Sequence, residues 1–238
     1  MKLKLVDAFT LSEVLITLGI IGVVAAMTMP ALIAKYQKNV TVNKLKKNYT
    51  TISQMFVMSQ NVNGDASTWN FNFGPIYDFS DGSNYNISLI NFVNTYILPY
   101  LNVAEDCGVK CNKLPTYKYL NKQEFSVSMF YAVYLLDGSI ILIALDNNSK
   151  LLYNVIIYVD INGDKKPNMV GKDVFAYYIS DTNSINKLKF FGWGAGWITT
   201  RDDLVNSSPG GCNKNGWGRY CGALIQYDGW QIKDDYPW

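Results

Sequence analysis

The most apolar stretch of the chain lies near the N-terminus and extends from Phe9 to Ala34. Within it, 21 successive residues from Val14 to Ala34 carry no formal charge. As a helix that rises about 1.5 Å per residue, this stretch covers roughly the 30 Å of the hydrocarbon core of a bilayer. The pattern therefore predicts a transmembrane helix over residues 9–34, with Glu13 as the single carboxylate at its leading edge.

A helical period continues beyond this stretch. Apolar residues recur at intervals of three and four, at Val42, Leu45, Tyr49, Ile52 and Phe56. Polar residues fill most of the positions between them, so a helix over residues 35–60 is predicted to pack one face against a core. Pro30 lies within the predicted helix and removes one backbone hydrogen bond, which predicts a kink or local melting there.

The remaining residues, 61–238, are predicted to form one α+β head. Residues 87–97 have the spacing of a short helix, and from Phe125 onward the period changes to that of strands. Asp137-Gly138 is a hairpin signal between the first two strands, and three later strands are predicted at 151–160, 173–180 and 187–193. The expected fold is a long N-terminal helix, with a transmembrane first half, packed on an antiparallel sheet.

The composition limits the possible functions. The chain has 238 residues, of which 49% are apolar, and a formal net charge of +2 at pH 7. A balance so close to neutral does not support nucleic-acid binding as the main function. The absence of His removes the commonest general base and the commonest metal ligand, and no nucleophile or phosphate-binding motif is present. We therefore do not expect an enzyme.

The four cysteines come as two close pairs, Cys107 with Cys111 and Cys212 with Cys221. Four cysteines allow three pairings, and their number alone does not choose among them. Both intervals are polar or contain Gly and suit exposed loops, so we expect one disulfide within each pair. A zinc site is disfavoured because neither spacing is the usual one and no His is available.

One polar loop follows a predicted strand and carries oxygen-bearing side chains: Asp160, Asn162, Asp164, Asn168 and Asp173. This spacing suits a hard cation such as calcium, which takes about six to eight oxygen ligands. The pattern is not an EF-hand, because Lys165 stands where the turn glycine belongs. The alternative is a plain turn in which Asp and Asn side chains bond to their own backbone.

The C-terminal part of the chain is rich in aromatic residues, notably at 192–197 and 223–238. Trp and Tyr side chains can stack on the apolar faces of sugars. More often such residues close a β-core or form an interface, and that is the role we expect here.

The order of residues at the N-terminus matches a processing motif. A leader, residues 1–8, precedes Phe9, and the acidic Glu13 and the apolar run follow. This segment resembles the methylation segment of type IV pilins and type II secretion pseudopilins. The resemblance implies that a prepilin peptidase cuts between Ala8 and Phe9 and methylates Phe9. Ala8 stands where the family usually has Gly, while Glu13 and Pro30 match the family's assembly acid and helix-kinking proline.

The resemblance implies a structural subunit of a type IV pilus, type II secretion or DNA-uptake fibre. The implied partners are prepilin peptidase, the cytoplasmic membrane and other pilin-like subunits, with no cofactor expected apart from the calcium considered above. The subunit is expected to cross the bacterial cytoplasmic membrane once, with its head outside the cytoplasm, before it joins a fibre in the periplasm or at the cell surface. The alternative is an exported binding protein, for example for carbohydrate, with a conventional signal peptide.

Overall fold

The computed structural model describes residues 10–69, 83–149, 152–180, 189–190 and 200–238. The chain divides into two compact units, residues 1–40 and 41–238. The first helix begins in the first unit and ends in the second, and all other helices and strands belong to the second unit, called the head below.

Helix α1 extends from Leu11 to Asn63 and has 53 residues. It ends before Gly64, whose backbone φ of 81° lies in the left-handed region that glycine adopts without steric cost. Pro30 lies inside α1, and the helix continues on both sides of it. The predicted local melting is therefore not observed, and the kink at Pro30 stays a prediction.

The part of α1 in the first unit has an apolar and exposed surface. Its large side chains include Leu15, Ile21 and Met27, which are 61%, 63% and 76% exposed. Among the described residues, α1 is the one helix long and apolar enough to cross a membrane, and none of its most apolar window is buried. Exposed apolar surface of this extent is unfavourable in water. By length, composition and position, the segment fits a membrane anchor or a signal sequence.

The part of α1 in the head buries one face. The buried side chains are those of Val42, Leu45, Asn48, Ile52, Met55, Phe56 and Ser59. The apolar ones among them include four of the five residues that the spacing predicted, and Tyr49, the fifth, is partly buried against the same core. Full burial of one such apolar side chain contributes roughly 1.5–3 kcal/mol. The predicted packing of this helix on the head is thus confirmed.

The described residues of the head form eight strands: β1 Val103–Val109, β2 Tyr117–Lys118, β3 Glu124–Phe125, β4 Tyr131–Leu135, β5 Ile140–Ser149, β6 Leu152–Asp160, β7 Val174–Ser180 and β8 Lys189–Phe190. Six of them form one antiparallel sheet in the order β1-β4-β5-β6-β7-β8, while β2 and β3 form a small hairpin of their own. Strands β4 to β8 are therefore a meander, and β1 is added at its edge beside β4. This antiparallel α+β architecture is the predicted one.

Three short helices complete the head: α2 Ser83–Tyr96, α3 Arg201–Asn206 and α4 Cys221–Tyr227. The sequence predicted α2 but neither α3 nor α4. The hairpin at Asp137-Gly138 is confirmed, because β4 pairs with β5 across it. The first predicted strand was too long, since residues 126–130 separate β3 from β4. The aromatic segment 192–197 lies outside the described residues.

We expect that the Ile52→Ala variant destabilises the head by about 2–5 kcal/mol, because it removes a buried side chain and leaves a cavity. Ile52 has no exposed surface in the structure. Val57 on the same helix is 54% exposed, so Val57→Ala is the matched control and should change the free energy of unfolding by less than about 0.5 kcal/mol. Urea unfolding followed by near-ultraviolet circular dichroism measures both values. Equal losses in the two variants would contradict the observed packing of α1.

Candidate functional site

The first candidate site is the start of α1. Ala8 and Phe9, the predicted cleavage and methylation residues, lie outside the described residues. Glu13 lies in the first turn of the helix, and its Oε2 accepts hydrogen bonds from the Thr10 amide and from the Thr10 hydroxyl, both at 2.8 Å. The Glu13 amide in turn donates to the Thr10 hydroxyl oxygen at 3.2 Å. Thr10 and Glu13 therefore form a reciprocal cap that satisfies helix amides.

This cap could have been predicted, because Thr-x-x-Glu directly before an apolar run is its signature. It gives Glu13 a local structural role as a helix-start acid, close to the positive end of the helix dipole. It uses one carboxylate oxygen, Oε2. Both members of the cap follow the Ala8–Phe9 junction in the sequence, so cleavage at that junction would remove neither side chain.

Both disulfides have the pairing that local spacing predicted. Cys107 bonds to Cys111 at the end of β1, and Cys212 bonds to Cys221 at the start of α4. The second bridge is buried, whereas Cys107 and Cys111 are only partly buried against the core. No free cysteine is present among the described residues. The segment 212–221 is called the disulfide loop below.

The second candidate site is the acidic loop, residues 160–173, which joins β6 to β7. Asp160 has no exposed surface, and its Oδ1 accepts a hydrogen bond from the Asn162 amide at 3.1 Å. Asp173 is also buried and accepts hydrogen bonds from the amides of Asn168 at 2.8 Å and Met169 at 2.7 Å. The two carboxylates therefore hold the loop's own backbone, as the plain-turn interpretation predicted.

Three buried oxygens of this loop have no hydrogen-bond donor within the described residues: Asp160 Oδ2, Asn162 Oδ1 and Asn168 Oδ1. The hydroxyl of Tyr117, on β2, interacts with Asp160 and lowers its pKa, which favours the ionised carboxylate. The two groups do not, however, form a hydrogen bond of ordinary geometry. A buried acceptor without a donor is costly unless a proton or a cation compensates it. The sequence did not reveal Tyr117 as a neighbour of this loop.

Burial of Asp160, together with the negative charge of Asp173, raises the pKa of Asp160 to about 8. Burial likewise raises the pKa of Asp173, although its backbone hydrogen bonds oppose that shift. Both effects disfavour the ionised carboxyl groups in the folded chain. The stability of the head therefore depends on pH through the protonation of these two carboxyl groups.

Asp164 differs from the other predicted calcium ligands because it is exposed. Within the described ranges, no group of three or more His, Cys, Asp or Glu side chains is placed to hold a metal ion. The predicted set of three carboxylates is thus not assembled. The oxygen-bearing side chains that remain are Asp160 and Asp173, together with the amides of Asn162 and Asn168.

A profile of a family of unknown function, DUF6613, matches residues 31–238. The chain belongs to this family. No curated protein and no solved structure matches it. The matched region begins one residue after Pro30 and includes the whole head, so the acidic loop and the disulfide loop both lie in the DUF6613 region.

In the DUF6613 region, two glycines of the acidic loop lie close to other parts of the head. Gly163 has a φ of 68°, and a Cβ built on it would lie 2.5 Å from the carbonyl oxygen of Gly138 in the β4–β5 turn. Gly171 has a φ of 85°, and a Cβ there would lie 2.7 Å from the Cys221 sulfur. Any other residue at these two positions would be strained and would push the loop away from its neighbours.

The C-terminal residues form a clamp next to this loop. The Tyr236 hydroxyl donates a buried hydrogen bond to the Gly171 carbonyl. Arg201 at the start of α3 binds Asp228 through two hydrogen bonds of 2.8 and 2.9 Å, and binds Asp235 through two of 2.7 and 2.9 Å. These hydrogen bonds hold the pKa of both carboxyl groups below the usual value. Arg201 thus fixes the tail that bonds to the acidic loop through Tyr236.

We expect the head to lose stability as the pH rises from about 5 to 8 when a chelator is present. The pKa of Asp160 in the folded chain, about 8, is above its ordinary value of 3.8. The folded state therefore binds the proton more tightly, so this contribution is complete below pH 4 and is lost as the pH rises to 8. Thermal melting of Asp160→Asn, which keeps the neutral shape, should show a smaller pH dependence than wild type.

Asp164→Asn is the matched control, because Asp164 is an exposed carboxylate of the same loop. This control should keep the wild-type pH dependence. An unchanged pH dependence in Asp160→Asn, or an equal reduction in both variants, would show that burial of Asp160 does not govern the effect.

Proposed function

We propose that this chain is a pilin-like structural subunit. Its apolar helix segment anchors it in the bacterial cytoplasmic membrane as a single pass and later packs against the helices of other subunits in a fibre. Prepilin peptidase processes the chain between Ala8 and Phe9 before assembly. The fibre is of the type IV pilus, type II secretion or DNA-uptake kind, and the chain is not an enzyme.

One observation carries this proposal, namely the difference between the two parts of a single continuous helix. In the first unit, α1 exposes large apolar side chains and buries none of its most apolar window. In the head, the same helix buries one face in a core that includes Leu45 and Ile52. A free helix surface of this kind requires lipid or other apolar helices around it. In a pilin-like subunit, lipid surrounds this helix surface while the subunit is in the bilayer, and the helices of other subunits surround it in the fibre core.

The disulfides support a head outside the cytoplasm. Disulfides persist in oxidising compartments and are rare in the reducing cytoplasm. The head contains two of them and no free cysteine among its described residues. A single membrane anchor followed by a disulfide-bonded head is consistent with export across the cytoplasmic membrane, as a pilin-like subunit needs.

Glu13 is the residue to which we assign the assembly role. Its Oε2 is already bound by Thr10, and this cap lowers the cost of placing the carboxylate at the edge of an apolar environment. After cleavage, the new amino group of Phe9 is the nearest positive group in the sequence. A carboxylate in an apolar helix bundle is stable only with such a cationic partner. If the partner belongs to a neighbouring subunit, this pair sets the axial register of the fibre.

The test is mass spectrometry of the mature N-terminus combined with the Glu13→Ala variant. Wild type and Glu13→Ala should both begin at methylated Phe9 and have folded heads, because neither cleavage nor head packing uses the Glu13 carboxylate. Glu13→Ala should remain in the membrane fraction and should not enter fibres. The control is Thr17→Ala, one turn further along α1, which removes a hydroxyl that donates to the Val14 carbonyl. This variant should still assemble.

A mature terminus near Lys35 would contradict the proposal and favour the exported binding protein with a conventional signal peptide. A mature terminus at methylated Phe9 combined with normal assembly of Glu13→Ala would leave the pilin-like processing in place and remove the register role of Glu13.

A second proposal concerns calcium at the acidic loop, and the three buried oxygens without donors favour it. Asp160, Asn162 and Asn168 would hold the ion, with Asp173 next to them. Carboxylate and amide oxygens are the ligands that calcium prefers. The ion would supply positive charge to a cluster in which burial penalises the ionised carboxyl groups.

Calcium should raise the melting temperature of the wild-type chain relative to a chelator, because an ion that binds only the folded state stabilises it. At 100 times the dissociation constant this stabilisation is about 2.7 kcal/mol. Asp160→Asn should lose the calcium-dependent increase, whereas Asp164→Asn should retain it because Asp164 is exposed. A melting curve that does not change between calcium and chelator would leave the loop as a plain turn.

A further inference from the structure

A basic surface lies on three neighbouring loops of the head. The turn between β2 and β3 lies beside the acidic loop, because the Lys118 amide donates to the Asn168 carbonyl at 3.0 Å. The same turn lies beside the disulfide loop, because the Asn121 amide donates to the Gly216 carbonyl at 3.0 Å. The basic surface consists of Lys118, Lys122, Lys172, Lys214 and Arg219.

The positive charge of this surface is only partly neutralised by carboxylates of the same loops, of which Glu124 pairs in register with Lys118 across the β2–β3 hairpin. In the part of the chain that the structure describes, none of its four lysines forms an ion pair. Some other cations of the head are paired, as in Lys47 with Asp137 at 2.9 Å and Lys233 with Asp228 at 2.7 Å. Lys118, Lys122 and Lys214 are also exposed. A chain with a net charge of only +2 thus carries five cations on three adjacent loops.

Aromatic rings and a disulfide fix the shape of this surface. The Arg219 guanidinium lies 4.6 Å from the Trp217 ring centroid and 5.5 Å from that of Tyr119. It also donates to the Tyr119 hydroxyl at 2.9 Å, and the Tyr119 and Trp217 rings stack at 5.2 Å. The Cys212–Cys221 bridge closes the loop that carries Lys214 and Arg219. A surface that is already ordered loses little conformational freedom when it binds a ligand.

We propose that the basic surface binds an acidic polysaccharide, a polymer of sugars that carry carboxylate groups. Exposed lysines would contact the carboxylates, and the exposed amide side chain of Asn215, which lies in the disulfide loop, can bond to sugar hydroxyls. This inference does not depend on the fibre proposal, because it concerns the head alone.

Two features favour a polysaccharide over a nucleic acid. A nucleic-acid duplex carries one negative charge per about 1.7 Å of its helix axis. The five cations of the basic surface are divided among three loops, so they suit a polymer with fewer charges per unit length. Single-stranded nucleic acid binds mainly by stacking bases on aromatic rings. Here the rings of Tyr119 and Trp217 already stack on each other and contact Arg219.

The test measures binding of the full-length chain in detergent micelles to an oligogalacturonate, a short polymer of uronic acid. Wild type should bind this probe, with an affinity that falls as the salt concentration rises. The double variant Lys118→Gln, Lys214→Gln should bind about three- to tenfold more weakly, because two exposed charge contacts are lost. A neutral cello-oligosaccharide of equal length and a DNA duplex are the comparison probes.

The matched control is the double variant Lys35→Gln, Lys44→Gln, which removes two exposed charges from α1 instead. It should bind oligogalacturonate as wild type does. Equal melting temperatures of the variants ensure that a weaker affinity does not arise from unfolding. The proposal is overturned if wild type fails to bind oligogalacturonate at low salt or if the control variant loses as much affinity. Equal binding of the neutral oligosaccharide, or tighter binding of the duplex, would also overturn it.

Discussion

Burial of one face of α1 against the sheet is the interaction on which the rest of the head depends. Tyr49 shows this most directly, since its ring stacks on Tyr177 of β7 at 6.3 Å and meets Trp230 of the C-terminal segment at 5.6 Å. One helical side chain thus contacts both the meander and the tail. The tail in turn bonds to the acidic loop through Tyr236. Helix, sheet, tail and loop are therefore parts of one packed core rather than independent attachments.

The elements with strong local periods could be predicted from the sequence. The α1 seam has apolar residues three to four positions apart because this helix buries one face, whereas the central strands of the meander are buried at successive positions and appear in the sequence as short apolar runs. Strand β1 was missed because two of its three exposed residues, Glu105 and Asp106, are charged and it lies at the sheet edge. Helices α3 and α4 have only six and seven residues, too few for a period to be visible.

How well each candidate site could be predicted depended on how close in sequence its interacting residues are. The disulfide pairing and the Thr10–Glu13 cap involve residues close in sequence, so spacing is informative. The acidic loop, in contrast, has neighbours that are distant in sequence: Tyr117 on another strand interacts with Asp160, and Tyr236, more than sixty residues further on, bonds to Gly171. No local pattern encodes such contacts. The exposure of Asp164 beside a buried Asp160 likewise follows from tertiary packing and not from their spacing.

The local character of both disulfides has a consequence for the route by which the head matures. Their cysteines are 4 and 9 residues apart in the chain. Closing so short a segment has a small entropic cost, so each bond can form once its own segment has emerged, independently of distant parts of the chain. The native partner is then also the first one that each thiol encounters. Oxidation can therefore reach the correct bonds without the thiol–disulfide exchange that repairs mispaired cysteines.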